Sequence, residues 1–172
     1  MSRTHQKPHR ILAIAPSTRG FGFAVLDGKE TLVDWGVKSV NGNKNAQSLE
    51  KVEGLIAYYL PEVIIMEDHS AKNSRRSSRI RELGRQIISA GSNRKIRVRL
   101  FSRQRVRRMF FADGEGTKHA LAEILAKRFP EELGPRLPPK RRPWTSEDYR
   151  MDIFDAVALV LVFRQRKSAR QI

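Results

Sequence analysis

Three acidic residues stand where carboxylates could meet around metal ions. Glu67 follows the apolar run 63–66, and Asp152 and Asp155 begin the apolar segment 151–163. Residues three apart share a helix face, and a helix start favours negative charge. Carboxylate oxygens suit Mg²⁺ and Mn²⁺, and two such ions roughly 3.5 to 4 Å apart can hydrolyse a phosphodiester. The pattern therefore indicates phosphodiester chemistry, although an ordinary acidic helix start would also place Asp152 and Asp155 together.

The charge balance indicates a polyanionic partner. Thirty-four Lys and Arg against 18 Asp and Glu leave a formal net charge of +16 in 172 residues. Because 40% of the residues are hydrophobic, the chain can bury a core, and the charge belongs to a folded surface. The absence of cysteine excludes disulfides and thiolate metal sites. Nucleic acid is the expected partner.

Basic residues form three runs, and each run flanks one of the candidate site elements. Phosphate contacts from such runs give salt-sensitive affinity with little sequence information. A solvated face kept soluble by charge is the alternative, but acids are nearly absent from these runs. The expected nucleic-acid contacts are Lys72, Arg75, Arg76, Arg79, Arg103, Arg105, Arg107, Arg108, Lys140, Arg141 and Arg142.

The elements that position these residues follow from hydrophobic periodicity. Three strands with short turns, at 10–14, 20–26 and 31–40, predict an antiparallel meander. An amphipathic helix ending near residue 60 leads to a fourth strand, which is expected to be parallel to its neighbour. The remaining predicted elements are a fifth strand at 97–101 and helices at 77–90, 102–111, 117–129 and 151–166.

We therefore predict one α/β domain over residues 10–166, with a five-stranded mixed sheet flanked by helices. A basic flexible arm at 1–9 and a basic tail at 167–172 are expected to flank it. No apolar stretch is long enough to span a membrane, and the chain start lacks the hydrophobic centre of a secretory signal. An intracellular location, cytoplasmic or nucleoid-associated, is expected, with an organelle as the alternative.

Four segments together resemble the conserved blocks of RuvC-type Holliday-junction resolvases, which are RNase H-like nucleases. The resemblance covers residues 10–163 and implies an RNase H-like fold. It also implies a homodimer that cuts four-way DNA junctions in recombination and repair, with two Mg²⁺ or Mn²⁺ ions. The segments, in chain order, are ILAIAPSTRGFGFAVL, IIMEDHSAKNSRRSSRIRELGRQ, SRQRVRRMFFADGEGTKHALAEIL and MDIFDAVALVLVF.

Carried over by position, the resemblance makes Glu67, Asp152 and Asp155 metal ligands. It makes Lys118 a cation near the scissile phosphate, with an ordinary lysine in the first turn of a helix as the alternative. Ala15 stands where the family has the Asp that bridges both ions. Without that oxygen we expect weak or absent metal binding and slow or no cleavage. An engineered Asp-to-Ala change is the favoured account, because clustered acids are costly without metal. The other account is a natural relative that only binds nucleic acid.

The chain departs from the family after Glu67, where Asp68-His69-Ser70 replaces an aromatic residue that the family uses as a wedge at the junction centre. His69 is expected to be exposed in a polar loop, with a general base or a base-stacking residue as alternatives. Trp144 follows the Pro-rich basic segment 135–143 and could either touch substrate or anchor its loop.

Several questions stay open at this level. Either Arg107 or Arg108 could supply a second cation near the phosphate. In the implied dimer, helix 80–90 lies at the interface, but its apolar residues Leu83 and Ile87 suit the sheet equally well. Other RNase H-like nucleases, acting on branched DNA or RNA–DNA hybrids, share the carboxylate plan. Binding of RNA through charge alone is a further alternative.

Overall fold

The strands form one five-stranded sheet in a computed structural model that describes residues 9–70 and 76–169, with side chains up to residue 165. The sheet order is β3-β2-β1-β4-β5. The first three strands are antiparallel, whereas β4 is parallel to β1 and β5 is parallel to β4. The predicted mixed α/β sheet is thus confirmed. The strands are β1 (Arg10–Pro16), β2 (Gly20–Asp27), β3 (Thr31–Ser39), β4 (Val63–Glu67) and β5 (Arg97–Phe101).

Helices cover both faces of this sheet. One face packs against α1 and α2, and the other packs against α3, α4 and α5. A single 3-10 turn, Gly134–Arg136, follows α4. None of the described helices is long and apolar enough to cross a lipid bilayer. The helices are α1 (Lys44–Tyr59), α2 (Ser78–Asn93), α3 (Arg103–Phe110), α4 (Lys118–Arg128) and α5 (Met151–Ala169).

Polar side chains determine where the site helices begin. The Ser102 hydroxyl accepts a hydrogen bond from the Arg105 amide at 3.1 Å and caps α3. The Thr117 hydroxyl accepts from the Ala120 amide at 3.0 Å and caps α4. Such caps satisfy amides that have no partner within the helix. As a result, Lys118 is the first residue of α4.

Small side chains on one face of β1 and β2 let α5 approach the sheet. Because side chains alternate along a strand, Ala13 and Ala24 face α5, whereas Phe21 and Phe23 face the opposite core. At Gly22, which pairs with Ala15, a Cβ would lie 2.2 Å from the backbone oxygen of Asp152. The start of α5 therefore lies directly against the end of β1.

The structure adjusts several predicted boundaries. Strand β1 extends to Pro16, so Ala15 belongs to the strand. Leu83 and Ile87 of α2 are fully buried against the sheet, so they cover the core of the single chain. Helix α5 continues to Ala169, into the segment predicted as a tail. The His9 ring hydrogen-bonds the Glu62 carboxylate at 2.8 Å. The rest of the predicted arm, residues 1–8, lies outside the described residues.

Candidate active site

The ends of two parallel strands place Ala15 beside Glu67. Ala13 of β1 pairs in register with Ile65 of β4. Two residues further along each strand, the chain reaches Ala15 and Glu67, which are both half-buried. The carboxyl ends of parallel strands meet at one edge of the sheet, where open α/β sheets bind ligands. The structure thus brings the first two predicted site positions together.

The start of α5 adds a cluster of carboxylates. One oxygen each of Glu147, Asp152 and Asp155 lies within 4.8 Å of the others. The Lys118 ammonium donates to Glu147 at 2.9 Å and to Asp155 at 3.3 Å. Glu147 was missed in the sequence because it lies in an irregular loop, where no periodicity relates it to α5. Its only signal was a position a few residues before the acidic pair.

Glu67 is held by two neighbours. His69 Nε2 lies 3.1 Å from its carboxylate, and Arg76 donates to the same oxygen at 3.1 Å. Burial alone would raise the pKa of Glu67, but the His69 hydrogen bond and the Arg76 charge outweigh it and hold the pKa below its usual range. The His69 side chain is only 9% exposed. The expectation of an exposed His69 was therefore wrong, because its ring turns inward and hydrogen-bonds the Glu67 carboxylate.

The two aspartates of α5 behave differently from Glu67. Burial raises the pKa of Asp152 to about 6; the Ser17 hydroxyl opposes this rise, and the charge of Asp155 adds to it. Burial also raises the pKa of Asp155, and Lys118 counteracts the rise. For Lys118, burial would lower the pKa, but the charges of Asp155 and Glu147 raise it. Lys118 therefore stays charged among these acids.

A groove runs between the end of the sheet and helices α3, α4 and α5. It brings together seven of the predicted site residues. Arg107 lines it and Arg108 is not among its lining residues, so the choice between the two favours Arg107 as the cation near the acids. The predicted residues that line this groove are Ala15, Glu67, Arg76, Arg103, Arg107, Lys118 and Asp155.

Other predicted contacts lie elsewhere. Arg79 donates to the Ser17 carbonyl at 3.1 Å and to Asn45 at 3.1 Å, so it ties α2 to the end of β1 and to α1. Arg105 lies over the Phe101 ring, 5.1 Å from its centre. Lys72 and Arg75 lie outside the described residues. A second groove is lined by Lys140, Arg141 and Arg142, and Glu147 also lines it.

The donor set suits one hard divalent cation better than two. Glu147, Asp152 and Asp155 offer only carboxylate oxygens, the ligand type that Mg²⁺ and Mn²⁺ prefer. Ala15 contributes no oxygen between these acids and Glu67, and Glu67 is bonded to His69 and Arg76. The residues thus fit a single ion at the α5 end, in competition with the Lys118 ammonium.

Solved structures share this architecture, although no protein-family model and no curated protein gives a match. RuvC of Thermus thermophilus superposes with a TM-score of 0.66 at 17% identity, covering 92% of this chain and 96% of that chain. The complex of T. thermophilus RuvC with a Holliday junction substrate gives 0.64 at 17% identity, covering 90% and 92%. The yeast mitochondrial Holliday junction resolvase Ydc2 gives 0.61 at 12% identity, covering 91% and 78%. The chain therefore has the RNase H-like fold of the RuvC resolvases.

Proposed function

We propose that this protein binds branched DNA, in particular four-way junctions, as a RuvC-like endonuclease whose hydrolytic centre lacks one carboxylate. The observation that carries the proposal is the position of Ala15. It lies at a strand end beside Glu67, in the groove that Lys118 and Asp155 also line. The structural neighbour that contains junction DNA supports the choice of substrate. With Ala15 in place, we expect cleavage to be slow or absent.

Each group of residues has a distinct role in this proposal. Arg103 and Arg107 bind the DNA backbone along the groove, and Lys118 stabilises charge that develops at the scissile phosphate. Glu147, Asp152 and Asp155 would hold Mg²⁺ or Mn²⁺. Such an ion, when bound, would supply electrostatic stabilisation of the leaving oxygen. Lys118 must then release Asp155 or Glu147, since its ammonium contacts both.

A homodimer is part of the proposal. A four-way junction presents two symmetry-related strands, so symmetric cutting requires two sites related by a two-fold axis. Leu83 and Ile87 are buried within one chain and leave the interface to the outer face of α2. On that face, the half-buried Ile88 lies among Arg81 and Arg85.

The test is the Ala15→Asp variant. Wild-type protein should shift a four-way junction in a native gel but leave it uncut in Mg²⁺ or Mn²⁺, whereas Ala15→Asp should cut it. Ala15→Asn introduces a side chain of the same size as Asp but without its charge. It is the matched control and should stay inactive. Ala15→Asp combined with Glu67→Gln should also be inactive. An Ala15→Asp protein that binds junctions and never cuts them would overturn the endonuclease part.

A second candidate is a natural DNA-binding protein that has no need of metal. It is favoured by the internal cations, because Arg76 compensates Glu67, and Lys118 compensates Asp155 and Glu147. All of the remaining acids except Asp152 therefore have a cationic partner without a metal ion, which weakens the main argument for an engineered alanine. In this case the junction affinity should be equal in EDTA and in Mg²⁺, and Ala15→Asp should restore nothing.

A further inference from the structure

Trp144 is one of the most exposed large hydrophobic side chains among the described residues. Its side chain is 76% exposed, on a surface loop between α4 and α5. The reading of Trp144 as a loop anchor is therefore wrong, because an anchoring indole would be buried. An indole kept in water loses the free energy that its burial would give, on the order of 25 cal/mol per Å². The exposed face of the indole is therefore available to a ligand, and its surroundings indicate which kind.

A defined turn presents this side chain. The Arg142 carbonyl accepts hydrogen bonds from the Thr145 amide at 3.0 Å and from the Thr145 hydroxyl at 2.9 Å. Pro143 occupies the second position of this turn, where its fixed φ suits the geometry. The Arg142 guanidinium lies 5.7 Å from the centre of the Trp144 ring. The hydrogen-bonded turn and the Arg142 guanidinium therefore position the indole.

Both ends of the loop are tied to the first turn of α4, beside the candidate active site. The His119 ring hydrogen-bonds the Pro138 carbonyl at 3.0 Å, at the start of the loop. Near its end, Glu147 accepts from Lys118 at 2.9 Å. Since Lys118 lines the main groove and Glu147 follows Trp144 by three residues, the loop that carries Trp144 is bonded to a residue of the groove.

The surroundings of Trp144 are strongly cationic. Lys140, Arg141 and Arg142 are all exposed and line a groove with Arg19, and these four cations outnumber the two acids of the same groove, Glu147 and Asp148. An aromatic face next to a cationic path is the arrangement that proteins use for unpaired nucleic acid: the cations bind phosphates and the ring stacks on a base. The exposed cations next to the indole favour a polyanionic partner over an apolar one.

We infer that Trp144 is a base-stacking residue that holds an unpaired nucleobase beside the candidate active site. The inference rests on the proposed function, because it requires that the protein binds DNA. The ligand is a base in a single-stranded or unstacked segment, whose phosphates lie along Lys140, Arg141 and Arg142. The indole recognises the flat face of any base, so this contact selects open DNA structure and not sequence.

The experiment compares a short oligothymidylate with an abasic strand of equal length, which has the same phosphates and no bases. Wild-type protein should bind the oligothymidylate at least about tenfold more tightly than Trp144→Ala does. Trp144→Phe, which keeps an aromatic face, should recover most of that affinity. The abasic strand should bind all three proteins equally. In a Trp35→Phe background, the fluorescence of Trp144 should be quenched by oligothymidylate and not by the abasic strand.

Each contrary result has a separate meaning. Equal oligothymidylate affinity of wild type and Trp144→Ala would overturn the stacking inference, as would equal quenching by the two strands. If the wild-type protein bound neither oligothymidylate nor a four-way junction, the proposed function itself would fail. If junctions bound tightly and bases made no difference, the proposed function would stand and the inference would fall.

Discussion

At the scale of single residues, the acids around Ala15 differ in how their charge is compensated. Glu67 has Arg76 and His69, and Asp155 has Lys118. Asp152 is 8% exposed, and no described ion pair involves it. Burial is therefore the largest influence on the pKa of Asp152 and raises it to about 6. Ionisation of Asp152 should therefore couple the stability of the fold to pH between 3.8 and about 6.

Asp152→Asn should stabilise the protein at pH 7 and have little effect near pH 4. The pKa of Asp152 rises from 3.8 to about 6 on folding, so the folded state holds more protons between these values. The contribution of Asp152 to stability therefore falls as the pH rises through that window. We expect a gain of about 1–3 kcal/mol at pH 7, measured by urea denaturation from pH 4 to 7.

Asp148→Asn is the control of opposite sign. The Arg150 hydrogen bonds lower the pKa of Asp148, so its contribution is present at neutral pH and lost as the pH falls below the usual range of Asp. This variant should be less stable than wild type at pH 7 and equal to it in acid. A pH-independent effect of Asp152→Asn would contradict the raised pKa.

At the scale of elements, the distance between α5 and the sheet depends on residues that have almost no side chain. Ala13, Ala24 and Gly22 form the floor on which the N-terminal end of α5 lies. Helix α5 is apolar on nearly all sides, because it is enclosed between the sheet and helices α3 and α4. Asp152 and Asp155 therefore lie near the strand ends only if the side chains beneath α5 stay small.

Gly22→Ala should destabilise the protein by about 1–3 kcal/mol or more, since overpacking forces backbone shifts. The added Cβ would lie 2.2 Å from the Asp152 carbonyl oxygen and 2.7 Å from its Cβ, neither of which can move alone. Chemical denaturation measures the loss. Gly54→Ala, in the exposed part of α1 with nothing within 4 Å of the new Cβ, is the matched control. It should be neutral or stabilise by up to about 1 kcal/mol. Equal effects at both positions would contradict this account.

At the scale of the whole molecule, part of the net charge of +16 lies at the edge of the sheet that carries the candidate site. The strand ends at Ala15 and Glu67 open into a groove lined with Arg76, Arg103 and Arg107. The β2–β3 turn lies at the other end, because Asp27 pairs with Arg10 at the start of β1. In the proposed complex, these three arginines would contact the DNA phosphates from one edge of the sheet.

Junction affinity should fall by roughly a thousandfold or more between 50 and 200 mM salt. Arg103→Gln should weaken binding and reduce the slope of log affinity against log salt by about 1, because one phosphate contact is lost. Lys29→Gln removes the same charge at the far turn and should change neither the slope nor the affinity. Gel-shift titrations at several salt concentrations measure both. Equal slopes for the two variants would mean that the groove does not carry the DNA.

Local sequence patterns predicted the architecture and part of the candidate site. Hydrophobic periodicity and turn residues are local signals, so the predicted strands and helices lie close to their observed bounds. Glu67, Asp152 and Asp155 could be proposed together because a strand end and a helix start carry recognisable patterns, and the family resemblance added Ala15.

Only the tertiary structure decided which partners these residues have. Glu147 reaches Lys118 through the path of an irregular loop, and His69 turns inward to Glu67. Burial of Asp152 depends on the close approach permitted by Gly22, and exposure of Trp144 depends on a turn closed by Thr145. These are contacts between residues with no periodic relation in the chain. Periodicity predicts elements, whereas charge compensation and exposure arise only when the elements pack.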